Sequence, residues 1–320
     1  MNTKSNLFLK ATLLILVSSL AASTAWGQTE EQFDPHETLS VNTRLVNVTV
    51  TATGAGGRAR SFNTEALKLY ADGIEQEMAY LHSEEAASNV VLLVDVSESM
   101  RGPAAETTRF LVSEFLKASD ARNQYTLFVF NNVVKKVGEY GGDADGRRQL
   151  LEDLRKEKYR GGTALYSAAR ATLKQALAAK RSYKTALVIF TDGLDNASAG
   201  NQLADDLDSF GGFSCAFVIG PSTSADMLGS IYNPIPKSET ERIAAAAKKY
   251  IGGEAYVARG LDRNFEKVAK RVAEIMHYSV EVGFYPQDNA AQPGPHTIQV
   301  ASTAGGDLKL RSRLRYVIEK

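Results

Sequence analysis

Two hydrophobic periodicities divide the chain. From Leu39 to Ala52 the residues alternate, with Val46, Val48 and Val50 sharing one side with Asn42 and Arg44, and Val41, Leu45 and several threonines sharing the other. A two-residue period rich in β-branched side chains predicts a strand. Gly54, Gly56 and Gly57 mark a turn and Thr64 to Leu67 a short helical turn. Leu67 to Tyr70 and Met78 to Leu81 read as short strands joined at Asp72-Gly73. From Ser88 the pattern changes. Val90-Val91-Leu92-Leu93-Val94 is a continuous apolar run ending in Asp95, and similar runs recur at Tyr125–Phe130, Thr185–Phe190 and Ser214–Ile219. Such runs mark strands buried on both faces of a parallel sheet.

Helical spacing appears between these runs, at Ala104–Ala118, Arg147–Lys158, the alanine-rich Ala164–Ala179, Ala199–Phe210, Ser238–Tyr250 and Asp262–His277. Ser238 with Glu241 fits a capping box. Strands alternating with helices predict an α/β fold, doubly wound, with a mainly parallel sheet flanked by helices. After His277 the chain reads as β again: Tyr278–Tyr285, a turn-rich loop at Pro286–Pro295, then strands at His296–Ala301 and Leu308–Val317. Neither flank carries much core alone. The expected organisation is therefore an N-terminal β-rich segment at 28–87, an α/β domain at 88–277, and a C-terminal β segment at 278–320 that packs with 39–82 as one small β domain.

The first 27 residues are expected to be a signal peptide rather than part of the fold. Lys4 and Lys10 precede an apolar run from Ala11 to Ala22, and Ala25 and Gly27 occupy the −3 and −1 positions of a cut before Gln28. The run is too short to span a bilayer as a helix, and no later stretch is apolar enough to cross. This predicts a secreted protein or one of the periplasm or cell envelope. Composition narrows the function. Lys and Arg total 37 and Asp and Glu total 37, so the chain lacks the basic excess of a nucleic-acid binder. Cys215 is the single cysteine, which excludes an internal disulfide and multi-cysteine zinc or iron–sulfur sites. His36, His82, His277 and His296 form no HExxH pair.

The chemistry gathers at strand ends. The first buried run ends in Asp95-Val96-Ser97-Glu98-Ser99, a second loop holds Gly161-Gly162-Thr163, and a third run ends in Thr191-Asp192-Gly193. Ligands of open α/β sheets bind at the carboxyl ends of strands, and an extended loop would turn Asp95, Ser97 and Ser99 to one side. Two carboxylates and three hydroxyls are all oxygen donors, which select magnesium, manganese or calcium over zinc. Neutral hydroxyl ligands leave the cation much of its charge, so an outside carboxylate could complete the shell. Aspartates at strand ends also cap helices and hold turns; it is the joint occurrence across three loops that favours a metal.

Asp95-x-Ser97-x-Ser99, Thr163 and Thr191-Asp192-Gly193 resemble the metal-ion-dependent adhesion site of von Willebrand factor type A domains, over about residues 88–277. The flanks, through Val46-Asn47-Val48-Thr49-Val50, Asp72-Gly73 and Gly283-Phe284-Tyr285-Pro286, are similar to a secreted bacterial group related to that family. The resemblance implies that Ser97, Ser99 and Thr163 bind the metal, usually Mg2+, directly. It implies that Asp95 and Asp192 hold it largely through water, and that the activity is metal-dependent protein–protein binding, not catalysis. The implied partner is a protein presenting an acidic side chain. Glu98 stands where many members have glycine, at the rim of the site.

Other readings compete. A structural scaffold of the envelope would use the metal only for stability. A hydrolase is disfavoured: Ser97, not a second aspartate, follows Asp95 by two positions, and the loops hold neither a GxSxG elbow nor a histidine. Asp143-Ala144-Asp145-Gly146 resembles part of an EF-hand, but Gly141 falls on the first ligand position, so a turn before a helix fits better. Arg147, Arg148, Arg155, Lys156, Lys158 and Arg160 read as a solvated face. Cys215 reads as an inert core thiol, and the sequons at Asn47 and Asn196 as incidental.

Overall fold

Val90, Leu92 and Val94 face one way and Val91 and Leu93 the other, and all five are buried. The continuous apolar run is thus a strand with helices on both sides. In the computed structural model, residues 45–54, 58–83, 85–177, 184–193, 195–198, 212–219, 255–258, 265–304 and 308–318 are described, all within the compact unit Thr43–Lys320. The strands are β1 (Val46–Thr53), β2 (Leu67–Ala71), β3 (Ile74–Gln76), β4 (Met78–His82), β5 (Ser88–Asp95), β6 (Gln124–Phe130), β7 (Val134–Gly141), β8 (Lys184–Thr191), β9 (Phe213–Ile219), β10 (Ala255–Ala258), β11 (Val280–Phe284), β12 (Gly294–Ser302), β13 (Lys309–Arg311) and β14 (Arg315–Ile318). The helices are α1 (Pro103–Ala118), α2 (Ala144–Lys156), α3 (Leu165–Leu177) and α4 (Phe265–Tyr278). The signal peptide expected at 1–27, the segment 28–38 and the helices expected at 199–210 and 238–250 lie outside the described residues.

The central sheet has the order β10-β9-β8-β5-β6-β7. Its strands run parallel except β7, which pairs antiparallel with β6. Leu111, Val112, Phe115 and Leu116 of α1, Leu150 and Leu154 of α2, and Ala269, Val272 and Met276 of α4 cover one face. Leu165, Ala168, Ala169 and Leu173 of α3 cover the other. This is the α/β architecture read from the sequence. The two strands the periodicity missed lie at its edges. β7 is mostly polar (VKKVGEYG) and largely exposed, so it carries no buried-run signal, and β10 is only four residues long.

Two four-stranded antiparallel sheets, β13-β1-β11-β4 and β14-β12-β2-β3, use strands from both flanks of the α/β unit. Val46, Val48, Val50, Val282 and Phe284 of the first share one core with Leu67, Leu69, Ile298, Tyr316 and Ile318 of the second.

Two local expectations change here. Leu67–Tyr70 and Met78–Leu81 are not hairpin partners. Asp72 (φ 49°) and Gly73 (φ 81°) both take positive φ, the signature of a tight two-residue hairpin turn. The turn sends the chain into β3, which pairs with β2, while β4 joins the other sheet beside β11. Leu308–Val317 is likewise two strands. The break at Ser312–Leu314, where Leu314 O accepts from Ile298 N (2.8 Å), carries the chain from one sheet to the other.

Candidate metal centre

β5 and β8 are parallel neighbours, with Val94 opposite Phe190, so their carboxyl ends open at the same edge. Thr191 Oγ1 donates to Asp95 Oδ2 (2.8 Å), and the Ser97 backbone N–H donates to Asp95 Oδ1 (2.8 Å). Asp95 is fully buried, and Ser97, Thr163 and Asp192 are nearly so. The expected extended loop is instead a 3-10 turn, Glu98–Met100, with Ser97 as its N-cap. The turn still gathers the hydroxyls: Ser97 Oγ and Ser99 Oγ lie 3.1 Å apart, with Ser99 open to solvent.

Thr163 is placed by partners that sequence reasoning did not identify as site residues. Asn196 Oδ1 accepts from Thr163 N (2.8 Å), and Asn196 N and Ala197 N donate to Thr163 O (3.0 and 3.1 Å). Asp195 Oδ2 accepts from Tyr166 N (2.9 Å) in the first turn of α3, and its Oδ1 accepts from Ser198 N (2.9 Å). Asn196 stood out only as a sequon, yet its side chain is a positioning device. The sequon Asn47 is engaged too, accepting from Tyr80 Oη (2.9 Å). The loops are stitched further by Glu98 N to Gly161 O (3.0 Å), Arg160 N to Val96 O (2.8 Å) and Ala164 N to Asn131 O (2.8 Å). Gly161 takes φ +81°, and a Cβ on Gly162 would stand 2.7 Å from Asn196 Oδ1, so a larger residue would be strained at the first position and would displace the Asn196 side chain at the second. Adjacent polar residues just past a strand end, Asn131-Asn132 and Asp195-Asn196, were the available signal.

The structure thus brings Asp95, Ser97 and Ser99 into direct proximity, joins Asp95 to the Thr191-Asp192 end of β8, and fixes Thr163 on the adjoining loop. Burial, reinforced by the nearby Asp192 charge, pushes the Asp95 carboxyl up to about 7, against the hydrogen bonds from Ser97 and Thr191. A cation at this edge would relieve both causes. Two carboxylates plus hydroxyls suit a hard divalent ion. Among the described residues no three histidine, cysteine, aspartate or glutamate side chains are placed to hold a metal ion between them, so a donor set at this edge would include the hydroxyls. Glu98 sits at the rim, its carboxylate on Arg101 Nη1 (3.0 Å).

The remaining candidates have structural roles. Asp143 is the N-cap of α2, its Oδ1 accepting from Gly146 N (2.7 Å), rather than part of an EF-hand. Within the basic stretch, Arg148 pairs with Asp145 and Glu152, and Lys156 with Asp153. Cys215 is buried. No helix among the described residues is long and apolar enough to cross a membrane.

Residues 90–194 match the family model of the von Willebrand factor type A domain. Among solved structures, a von Willebrand factor type A protein from Catenulispora acidiphila aligns at 13% identity and TM-score 0.47, over 88% of this chain and 75% of that one. BatB from Bacteroides thetaiotaomicron aligns at 14% identity and TM-score 0.44, over 59% and 98%. The pilus adhesin SpaC from Lactobacillus rhamnosus GG aligns at 10% identity and TM-score 0.47, over 80% and 48%. No curated protein matches the chain.

Proposed function

We propose, on the premise that residues 90–194 belong to the von Willebrand factor type A domain family, that this is a metal-dependent protein-binding module and not an enzyme. In this reading the Ser97, Ser99 and Thr163 hydroxyls hold a divalent cation, magnesium first, with manganese or calcium as substitutes. Asp95 and Asp192 balance its charge from behind. The cation would supply an open position for a carboxylate on a partner protein. The chain's own residues do the rest. Thr191 and the Ser97 N–H aim the Asp95 carboxylate, and Asn196 holds the Thr163 backbone. The observation that carries the reading is a fully buried aspartate beside a second carboxylate, facing two hydroxyls 3.1 Å apart. Buried like charges at one edge are unfavourable without a cation. In the same proposal the module works outside the cytoplasm, a reading that the N-terminal signal pattern supports.

The test is titration of magnesium, manganese and calcium into metal-stripped protein by calorimetry, with parallel melting curves, for wild type, Asp95→Ala and Thr163→Ala. Saturable binding in wild type, lost in both variants, is the expected result. Binding unchanged in Asp95→Ala would sink the reading. A cation that raises the melting temperature while partner binding ignores chelation would favour the scaffold alternative.

A further inference from the structure

The chain is neutral as a whole, but the rim of the candidate metal centre is not. The strap Glu157–Arg160 leads into Gly161-Gly162-Thr163 and alternates in exposure: Glu157 and Tyr159 are half-buried, while Lys158 and Arg160 are exposed. An extended segment with that alternation presents Lys158 and Arg160 on one side. Backbone bonds hold the strap beside the centre. Arg160 N donates to Val96 O, beside Ser97, and Arg160 O accepts from Asn131 Nδ2 (3.0 Å). Tyr159 O accepts from Arg101 Nε (2.8 Å), and the Arg109 guanidinium lies 6.0 Å from the Tyr159 ring centre.

Of the acidic groups of this rim, Glu157 is engaged by Lys135 (2.8 Å) and Glu98 by Arg101 (3.0 Å), while Asp195 is held by the backbone N–H groups of Tyr166 and Ser198 (2.9 Å each), a single carboxylate against two exposed cations. Among the described residues, the Lys158 and Arg160 side chains make no ion pair or hydrogen bond. With a divalent cation offsetting Asp95 and Asp192, the unmatched charge facing a partner is positive. Next to it, at the tip of the β6–β7 hairpin, Val133 is 71% exposed. An apolar tip beside two cations suits a polypeptide better than a phosphate backbone.

We infer that the partner anchored at this centre presents an acidic polypeptide segment, in which carboxylates beyond the anchoring one meet Lys158 and Arg160. The inference rests on the metal-dependent reading above and adds the chemistry of the partner. Exposed cations add little affinity each but speed association and make it salt-dependent, so the readout is kinetic.

The probes are two short synthetic peptides, one with an aspartate among glutamates and one with the same aspartate among glutamines. Both are offered to the whole protein in saturating magnesium, at low and at physiological salt. Wild type should associate roughly tenfold faster with the glutamate peptide at low salt, the advantage shrinking as salt rises. Lys158→Gln combined with Arg160→Gln should erase the advantage while the glutamine peptide still binds and magnesium is still taken up. Equal rates for the two peptides, no binding of either, or an advantage that survives the double substitution would overturn the inference, as would single-stranded DNA displacing the glutamate peptide. A glutamate preference abolished by the double substitution but indifferent to chelator and to Asp95→Ala would support the rim assignment and overturn the metal reading instead.

Discussion

Asp95 is a fully buried carboxylate beside a second one. Its carboxyl is raised from the ordinary carboxylate range to about 7, first by burial and then by Asp192. A group whose folded pKa exceeds its unfolded value contributes stability below the unfolded pKa and loses it as pH rises through the folded one. This group should therefore make metal-free protein lose stability between about pH 4 and pH 7, by about 4 kcal/mol at most. Asp95→Asn keeps the size and removes the charge, so its melting temperature in chelator should hardly change over that window. On the proposed metal-binding reading, saturating magnesium should flatten the wild-type curve, because the cation would take the place of the proton. The check is a set of melting curves from pH 4 to 8, with and without chelator. A chelated wild type that melts higher at pH 8 than at pH 5, by an amount Asp95→Asn does not share, would contradict the assignment.

At the scale of elements, α2 shows how a local device fixes a boundary. Asp143 caps the helix through Gly146 N, and a Cβ on Gly146 would stand 2.2 Å from the Gly141 carbonyl oxygen. That contact is with backbone and cannot be relieved by a rotamer change. Gly146→Ala should lower unfolding stability by roughly 2 kcal/mol, read by urea denaturation, while magnesium affinity stays at the wild-type value. A neutral effect on stability would mean that the β7–α2 corner yields freely.

The same contrast between local and long-range signals explains what the sequence disclosed. β5, β6 and β8 are buried on both faces, so their runs stand out without knowledge of the fold, and β9 shows the same kind of apolar run in the sequence. Asp95, Ser97 and Ser99 were recognisable because their spacing is local. β7 was hidden because an edge strand with lysines lacks a buried face. The true partners of β2 and β4 were hidden because pairing across sheets is set by tertiary packing: Asp72 is held by Thr297 N (2.8 Å) and by His296 Nδ1 (2.7 Å), both far along the chain. Asn196 and Asp195 were missed for the same reason, since their partners are Thr163 on another loop and Tyr166 in the first turn of α3.

Across the whole molecule, two consecutive residues tie the large sheet to its surroundings. Lys184, buried at the start of β8, donates through Nζ to the carbonyls of His277 (2.9 Å), Ser279 (3.0 Å) and Met276 (3.4 Å), where α4 ends. A cation is favoured there by the helix dipole and the otherwise unsatisfied carbonyls. The next residue, Thr185, gives both its backbone N–H (2.8 Å) and its hydroxyl (2.7 Å) to the buried Glu281 of β11. Glu281 also accepts from Tyr80 Oη of β4 (3.0 Å). The sheet β13-β1-β11-β4 is thereby fastened to the foot of the strand whose head bears Thr191 and Asp192. Glu281→Ala would leave the Thr185 N–H buried without its acceptor and open a void beneath Tyr80. A loss of about 3 kcal/mol in urea denaturation is expected. Glu281→Gln, which keeps one acceptor oxygen, should lose clearly less. If Ala and Gln were both within about 0.5 kcal/mol of wild type, as for an ordinary surface change, this junction would not be a major source of stability. The joint between the sheets would then rest on the Lys184 bonds and on apolar packing.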